Sequence, residues 1–185
     1  LERVTAEVKA NVPNADVRIH AADLSLSADQ EAVFEKCCDV DILVNNAGAA
    51  ATGSLLETNE PDWRDSWDLK LFGYINLTRS FYRVMKERAD GVIVNIIGYA
   101  GERLNSRYII GTTGNAALMA FTRSAGSESP DFGVRIIGVN PSFTLTDRAE
   151  EQLKIFSEQQ FGTKELWPDV EREMKLPFGR MARVD

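Results

Sequence analysis

Three short apolar runs constrain this chain more than anything else in it: residues 41–44 (DILV), 92–97 (VIVNII) and 134–139 (VRIIGV). They are continuous rather than alternating, the pattern of strands covered on both faces. Longer helical patterns separate them. Strands alternating with helices predict a parallel sheet with right-handed crossovers, an α/β fold. Residues 16–21 (DVRIHA) suit one more short strand, followed by a turn at Asp23-Leu24-Ser25. Ser27 is placed to cap a helix over 28–38, with Glu31 near its first turn, where the helix dipole favours an acid.

Pro61 opens a long helix. Trp63, Trp67, Leu71, Tyr74, Leu77, Phe81 and Met85 follow at steps of three and four and form one apolar face, and Asp90-Gly91 ends it. Residues 111–127 read as a second helix, rich in Ala and Gly and so able to pack closely on a neighbour. Residues 147–178 are helical but less apolar. They read as an insertion after a strand's carboxyl end, the side on which α/β sheets bind ligands. Phe156, Phe161, Trp167 and Met174 in that stretch suit either an apolar lid or packing on the core.

Composition removes several function classes. With 185 residues the chain holds one domain with a sizeable core, 1–185. Its formal net charge is −7, from 21 basic and 28 acidic residues, and no basic stripe alternates with aromatics, so nucleic acid is not an expected partner. No apolar run has the length of a membrane span and no signal-peptide pattern opens the sequence, so no membrane association is expected. Cys37 and Cys38 are adjacent and rarely able to bridge each other, which points to reduced thiols and a cytoplasmic protein. His20 is the only histidine, which excludes a multi-histidine metal site.

Five motifs in order carry a more specific signal. Asp23-Leu24 follows a strand pattern. Asn45-Asn46-Ala47-Gly48 ends the next, and Trp67-Asp68-Leu69-Lys70-Leu71-Phe72-Gly73 with Thr78-Arg79 lies on the long helix. Residues 91–101 (GVIVNIIGYAG) form a strand and its turn, and Asn140-Pro141-Ser142-Phe143-Thr144-Leu145-Thr146 follows the last strand. Together they resemble the short-chain dehydrogenase/reductase family, as does Leu176-Pro177-Phe178-Gly179-Arg180 further on. The resemblance implies a Rossmann-type doubly wound parallel sheet that binds NAD or NADP. It also implies hydride transfer between that cofactor and a carbonyl or alcohol, as a homodimer or homotetramer paired through the helices beginning near Pro61 and Gly111.

By the same resemblance, Asp23, Leu24, Asn46, Ala47, Gly48, Asn115, Pro141, Thr144 and Thr146 are the cofactor-binding candidates. The family's mechanism uses a Tyr as acid, a Lys four residues later, a Ser at the end of the preceding strand and an Asn on the long helix. In this sequence those four slots hold Gly111, Asn115, Gly98 and Lys70. Lys70, Asn115, Tyr99 and Tyr108 are the catalytic candidates: Lys70 and Asn115 as an exchanged ammonium and amide, with Gly98 and Gly111 leaving room for the ring of Tyr99 or Tyr108.

Three readings stay open: an oxidoreductase with a non-standard site, a dinucleotide-binding subunit without catalysis, and a structural partner that binds no cofactor. Leu1 falls inside a helix pattern, and the resemblance implies that elements at both ends are missing from this sequence. The family's glycine-rich phosphate loop would precede Leu1, and its last helix and strand would follow Asp185. We expect a longer chain.

Overall fold

The computed structural model describes residues 1–183. The chain forms two compact units, Leu1–Val139 and Asn140–Asp185. The first is built on a three-stranded parallel sheet, β1 (Ile42–Asn45), β2 (Gly91–Ile96) and β3 (Val134–Val139), in that spatial order. Ile42 pairs with Val92 and Asn45 with Asn95, and Asn95 in turn pairs with Gly138. Five helices accompany the strands: α1 (Glu2–Asn11), α2 (Ser27–Cys37), α3 (Glu60–Trp67), α4 (Gly73–Arg88) and α5 (Ile109–Glu128).

The crossover from β1 to β2 begins where Asn59 caps α3. Its side chain accepts from the Asp62 amide, and the Asp62 carboxylate accepts from the Asn59 amide. This reciprocal cap satisfies two otherwise orphaned donors. The expected single helix from Pro61 is interrupted: residues Asp68–Phe72 form a wide π turn between α3 and α4. Along α4, Tyr74, Leu77, Phe81 and Met85 are buried, so the apolar spacing does define the packed face. The helix ends at Ala89, in a left-handed conformation.

That face meets the sheet in one core of Leu77, Phe81, Met85, Ile93, Val134 and Ile136, with Phe34 of α2 edge-on to Phe81 at 5.2 Å. A buried polar chain runs beside it. Asn45 Nδ2 donates to Asn95 Oδ1 at 2.9 Å and to Thr78 Oγ1 at 3.2 Å, and Asn95 Nδ2 donates to Thr122 Oγ1 at 2.9 Å. This network ties β1 and β2 to α4 and α5. Its members satisfy one another, as groups in a low-dielectric interior must.

Three sequence expectations need correction. Residues 16–21 form no strand, because no described segment runs alongside to pair with their backbone. Ser27 is the first residue of α2 rather than its cap, a place taken by Leu26. The strands were expected to be covered on both faces, but Leu43, Ile93 and Ile136 face the core while Ile42, Val44, Ile137 and Val139 stand exposed. Both crossovers run in the same direction along the sheet. Right-handed connections then put α4 and α5 on one side.

The second unit holds α6 (Asp147–Phe161) and α7 (Trp167–Glu173). Leu153, Leu176 and Met181 pack with Leu145, Trp167, Val170 and Met174. The buried Glu171 accepts from the Met181 amide at 2.7 Å. Trp167 and Met174 therefore pack within this unit, whereas Phe156 and Phe161 are exposed.

Candidate active site

Of the first unit's candidates, Gly48, Lys70 and Asn115 meet at the carboxyl ends of β1 and β2. Lys70 sits inside the π turn, and such widened turns recur at functional sites. Its stem lies against Gly48, where an added Cβ would come 2.9 Å from Lys70 Cδ. Its amine donates to the Ile97 carbonyl at 2.8 Å. Burial pulls the amine below its usual basicity, and no neighbouring charge opposes that shift.

Asn115 lies on α5, almost fully buried, and its Nδ2 donates to the Gly98 carbonyl at 3.3 Å. Lys70 and Asn115 are thus anchored on consecutive carbonyls at the end of β2. Asn115 Oδ1 is buried without a partner. Gly98 has φ 119°, a conformation that L side chains rarely adopt, and a Cβ there would lie 3.1 Å from Asn115 Nδ2. The space beside Gly98 is therefore filled by the Asn115 amide and not by Tyr99, which is exposed on the short turn Tyr99–Gly101.

Gly111 has a different neighbour. A Cβ there would fall 2.0 Å from Tyr108 Cζ and 2.5 Å from its hydroxyl oxygen, so the Tyr108 ring lies directly over Gly111. The Gly53 amide donates to the Arg107 carbonyl at 2.8 Å, which fixes the backbone leading into Tyr108. Trp67 Nε1 donates to the Ile110 carbonyl at 3.3 Å and ties α3 to the start of α5.

Sequence reasoning missed the π turn and the Trp67 tie, since neither has a local sequence signature. It also missed Tyr74. That phenol donates to the Ile96 carbonyl at 3.1 Å, and burial pushes its pKa up to about 12, so it stays neutral. It braces the strand that carries Ile97 and Gly98.

The remaining cofactor candidates divide between the two units. In the first, the Asp23 carboxylate accepts from the Ser25 amide at 3.0 Å and its hydroxyl at 2.6 Å, which hold it below the usual carboxylate range. Leu24 accepts from Gln30 through its carbonyl at 2.8 Å, and Asn46, Ala47 and Gly48 are exposed beyond β1. In the second, Thr144 Oγ1 donates to the Ser142 carbonyl at 3.2 Å, Thr146 Oγ1 caps α6 by accepting from Ala149, and Pro141 is exposed.

A parallel sheet with polar groups converging on its carboxyl edge defines a nucleotide-binding α/β domain of Rossmann type. Comparison with known proteins sharpens this. The short chain dehydrogenase family matches residues 1–154. The chain is 32% identical over 145 residues to a 3-oxoacyl-[acyl-carrier-protein] reductase of Synechocystis, covering 77% of this chain and 55% of that protein. It is 31% identical over 182 residues to a galactitol 2-dehydrogenase (L-tagatose-forming) of Cereibacter sphaeroides, covering 96% of this chain and 63% of that one. The fold matches L-sorbose reductase from Gluconobacter frateurii, solved with NADPH and L-sorbose, at a TM-score of 0.87 and 23% identity, over 99% of this chain and 71% of that one. The chain belongs to the short-chain dehydrogenase/reductase family and spans a little over half the length of the curated relatives it matches. Among the described residues, no helix is long and apolar enough to cross a membrane.

Proposed function

We propose that this chain belongs to an NAD(P)-dependent oxidoreductase acting on a carbonyl or alcohol, with a rearranged active site in which Lys70 and Asn115 have exchanged places. The observation that carries this reading is the pair of anchors at the end of β2, with Lys70 on Ile97 and Asn115 on Gly98. Two polar side chains reach from different helices to one strand end. That costs desolvation of an amine and an amide, a cost that polar groups gathered at a site explain.

A dinucleotide fits the residues present. The orphaned Asn115 Oδ1 is an acceptor held ready at the carboxyl edge, suited to a ribose hydroxyl. Asp23 and Leu24 would hold the adenine end and Asn46, Ala47 and Gly48 the backbone flank; by the family resemblance Pro141, Thr144 and Thr146 are the candidates for the nicotinamide amide. NAD or NADP supplies the hydride when bound. The protein's own task is to orient the substrate oxygen and manage its proton. Tyr108 forms a wall over Gly111, and Tyr99 lies at the exposed rim. By the family resemblance, residues 147–178 take the substrate side.

We place the protein in the cytoplasm as a homodimer or homotetramer paired through α3–α4 and α5. Trp63 and Trp67, edge-on at 5.3 Å, and the exposed Phe72 give that surface an apolar character.

One observation favours a second reading, a dinucleotide-binding subunit without catalysis. Positions 98 and 111 carry neither hydroxyl nor phenol, and general acid catalysis is typically worth roughly 10²–10⁴-fold. Titration of NADH and NADPH into the intact protein, followed by a turnover screen with ketones and aldehydes, separates the two. Binding with turnover supports the oxidoreductase, binding without it the silent subunit. Absence of binding removes both.

A further inference from the structure

The exchanged pair leaves open which group handles the proton of the substrate oxygen, and the geometry points to one. Position 98 supplies nothing: it is a glycine with no side chain, and the Asn115 amide fills the adjoining space. Position 111 supplies nothing either. The Tyr108 hydroxyl oxygen lies only 2.5 Å from where the first side-chain atom of residue 111 would stand, far short of where the tip of a tyrosine at 111 would reach.

Lys70 is different. An ammonium has three N–H bonds, and the Ile97 carbonyl takes one. Among the described residues no carboxylate pairs with it, so a half-buried cation is left facing its surroundings uncompensated. Asn115, anchored on the adjacent carbonyl, contributes a buried acceptor with no partner of its own. A donor with N–H bonds to spare and an acceptor with none filled, anchored one residue apart, match the two faces of a hydroxyl.

We propose that Lys70 Nζ holds the reacting oxygen of a ketone or aldehyde and gives it its proton, and that Asn115 Oδ1, whose second lone pair a ribose hydroxyl leaves open, accepts the hydrogen of the resulting alcohol. This rests on the oxidoreductase reading above. The balance is complete. The carbonyl carbon takes a hydride from a reduced nicotinamide, the carbonyl π pair moves onto oxygen, and the proton passes from Nζ to that oxygen. The N–H electron pair stays on nitrogen as a neutral amine, which water reprotonates. An ammonium whose basicity burial has lowered gives up its proton more readily than an exposed lysine.

Two experiments test this. The first needs neither cofactor nor turnover: reductive methylation of the intact protein with formaldehyde and cyanoborohydride near neutral pH, read by peptide mass spectrometry. Lys70 is expected to label ahead of exposed lysines such as Lys175, because its amine is less protonated and only half-buried. A Lys70 that stays unlabelled while the others react overturns the proposal, whether or not a dinucleotide binds.

The second compares Lys70→Met and Lys70→Arg with wild type in NADPH binding and in ketone reduction. Both variants should bind NADPH within about threefold of wild type, and both should lose roughly 10²–10⁴-fold in kcat. Arginine keeps the charge but does not release a proton. An arginine variant with wild-type kcat overturns the proton-donor role and leaves the oxidoreductase reading standing. A wild-type protein that binds NADPH and turns over no carbonyl overturns both.

Discussion

Placing a serine hydroxyl at position 98 should damage this protein rather than improve it. Gly98→Ser places a Cβ on a backbone with φ 119°, where non-glycine residues cost about 1–3 kcal/mol. The new atom would lie 3.1 Å from Asn115 Nδ2, closer than ordinary contact, so the amide must shift and strain its 3.3 Å bond to the Gly98 carbonyl. A hydrogen bond of that kind is worth about 0.5–1.5 kcal/mol. The two effects sum to about 1.5–4.5 kcal/mol, which for a domain of this size lowers Tm by roughly 3–18 °C. The assay is thermal unfolding followed by circular dichroism, with Gly98→Ala as a companion. Since backbone and contact carry the effect, alanine should cost nearly as much as serine, and neither should raise turnover. A serine variant that melts at or above the wild-type temperature would refute the argument that Asn115 and Gly98 are fitted to each other.

Other consequences follow from the same geometry. Gly111→Ala drives a methyl group into the Tyr108 ring, so that ring must leave; a fall in Tyr108 protection from tetranitromethane, read by peptide mass spectrometry, is the expected sign. Phe81→Ala removes a ring that is 1% exposed and in edge contact with Phe34, and denaturant unfolding should show a loss of about 3–5 kcal/mol. Lys70 gives a signed pH effect. Its basicity is lower in the fold than the ordinary 10.5, so between the two values the unfolded chain binds more protons and stability rises with pH. Wild type should therefore gain stability relative to Lys70→Met as pH climbs toward 10.5; a difference that is flat or falls with pH contradicts the burial of that amine.

Most of the fold was legible because period and length sufficed. The runs around Ile42, Ile93 and Ile136 became the three parallel strands, and the spacing of Tyr74, Leu77, Phe81 and Met85 became the buried face of α4. The strand expected at 16–21 did not form, since local propensity cannot supply a neighbour to pair with. The π turn at Asp68–Phe72 was invisible because an apolar stripe reads alike through a regular and a widened turn. At the site, the family slots located Lys70, Gly98, Gly111 and Asn115, but only coordinates show which neighbour fills each glycine's space. Asn115 takes the space at Gly98 and Tyr108 that at Gly111, a choice of side-chain direction that sequence spacing does not encode.

On the oxidoreductase reading, the open acceptor of Asn115 takes a hydroxyl of a bound dinucleotide at the end of β2. Calorimetric titration of NADPH and NADH into the intact protein and its Asn115→Leu variant tests it most directly. The account predicts saturable binding of at least one dinucleotide by wild type, weakened roughly 2- to 10-fold in the variant, as loss of one neutral hydrogen bond requires. Identical affinities in the two proteins, or no binding of either dinucleotide by wild type, would contradict it.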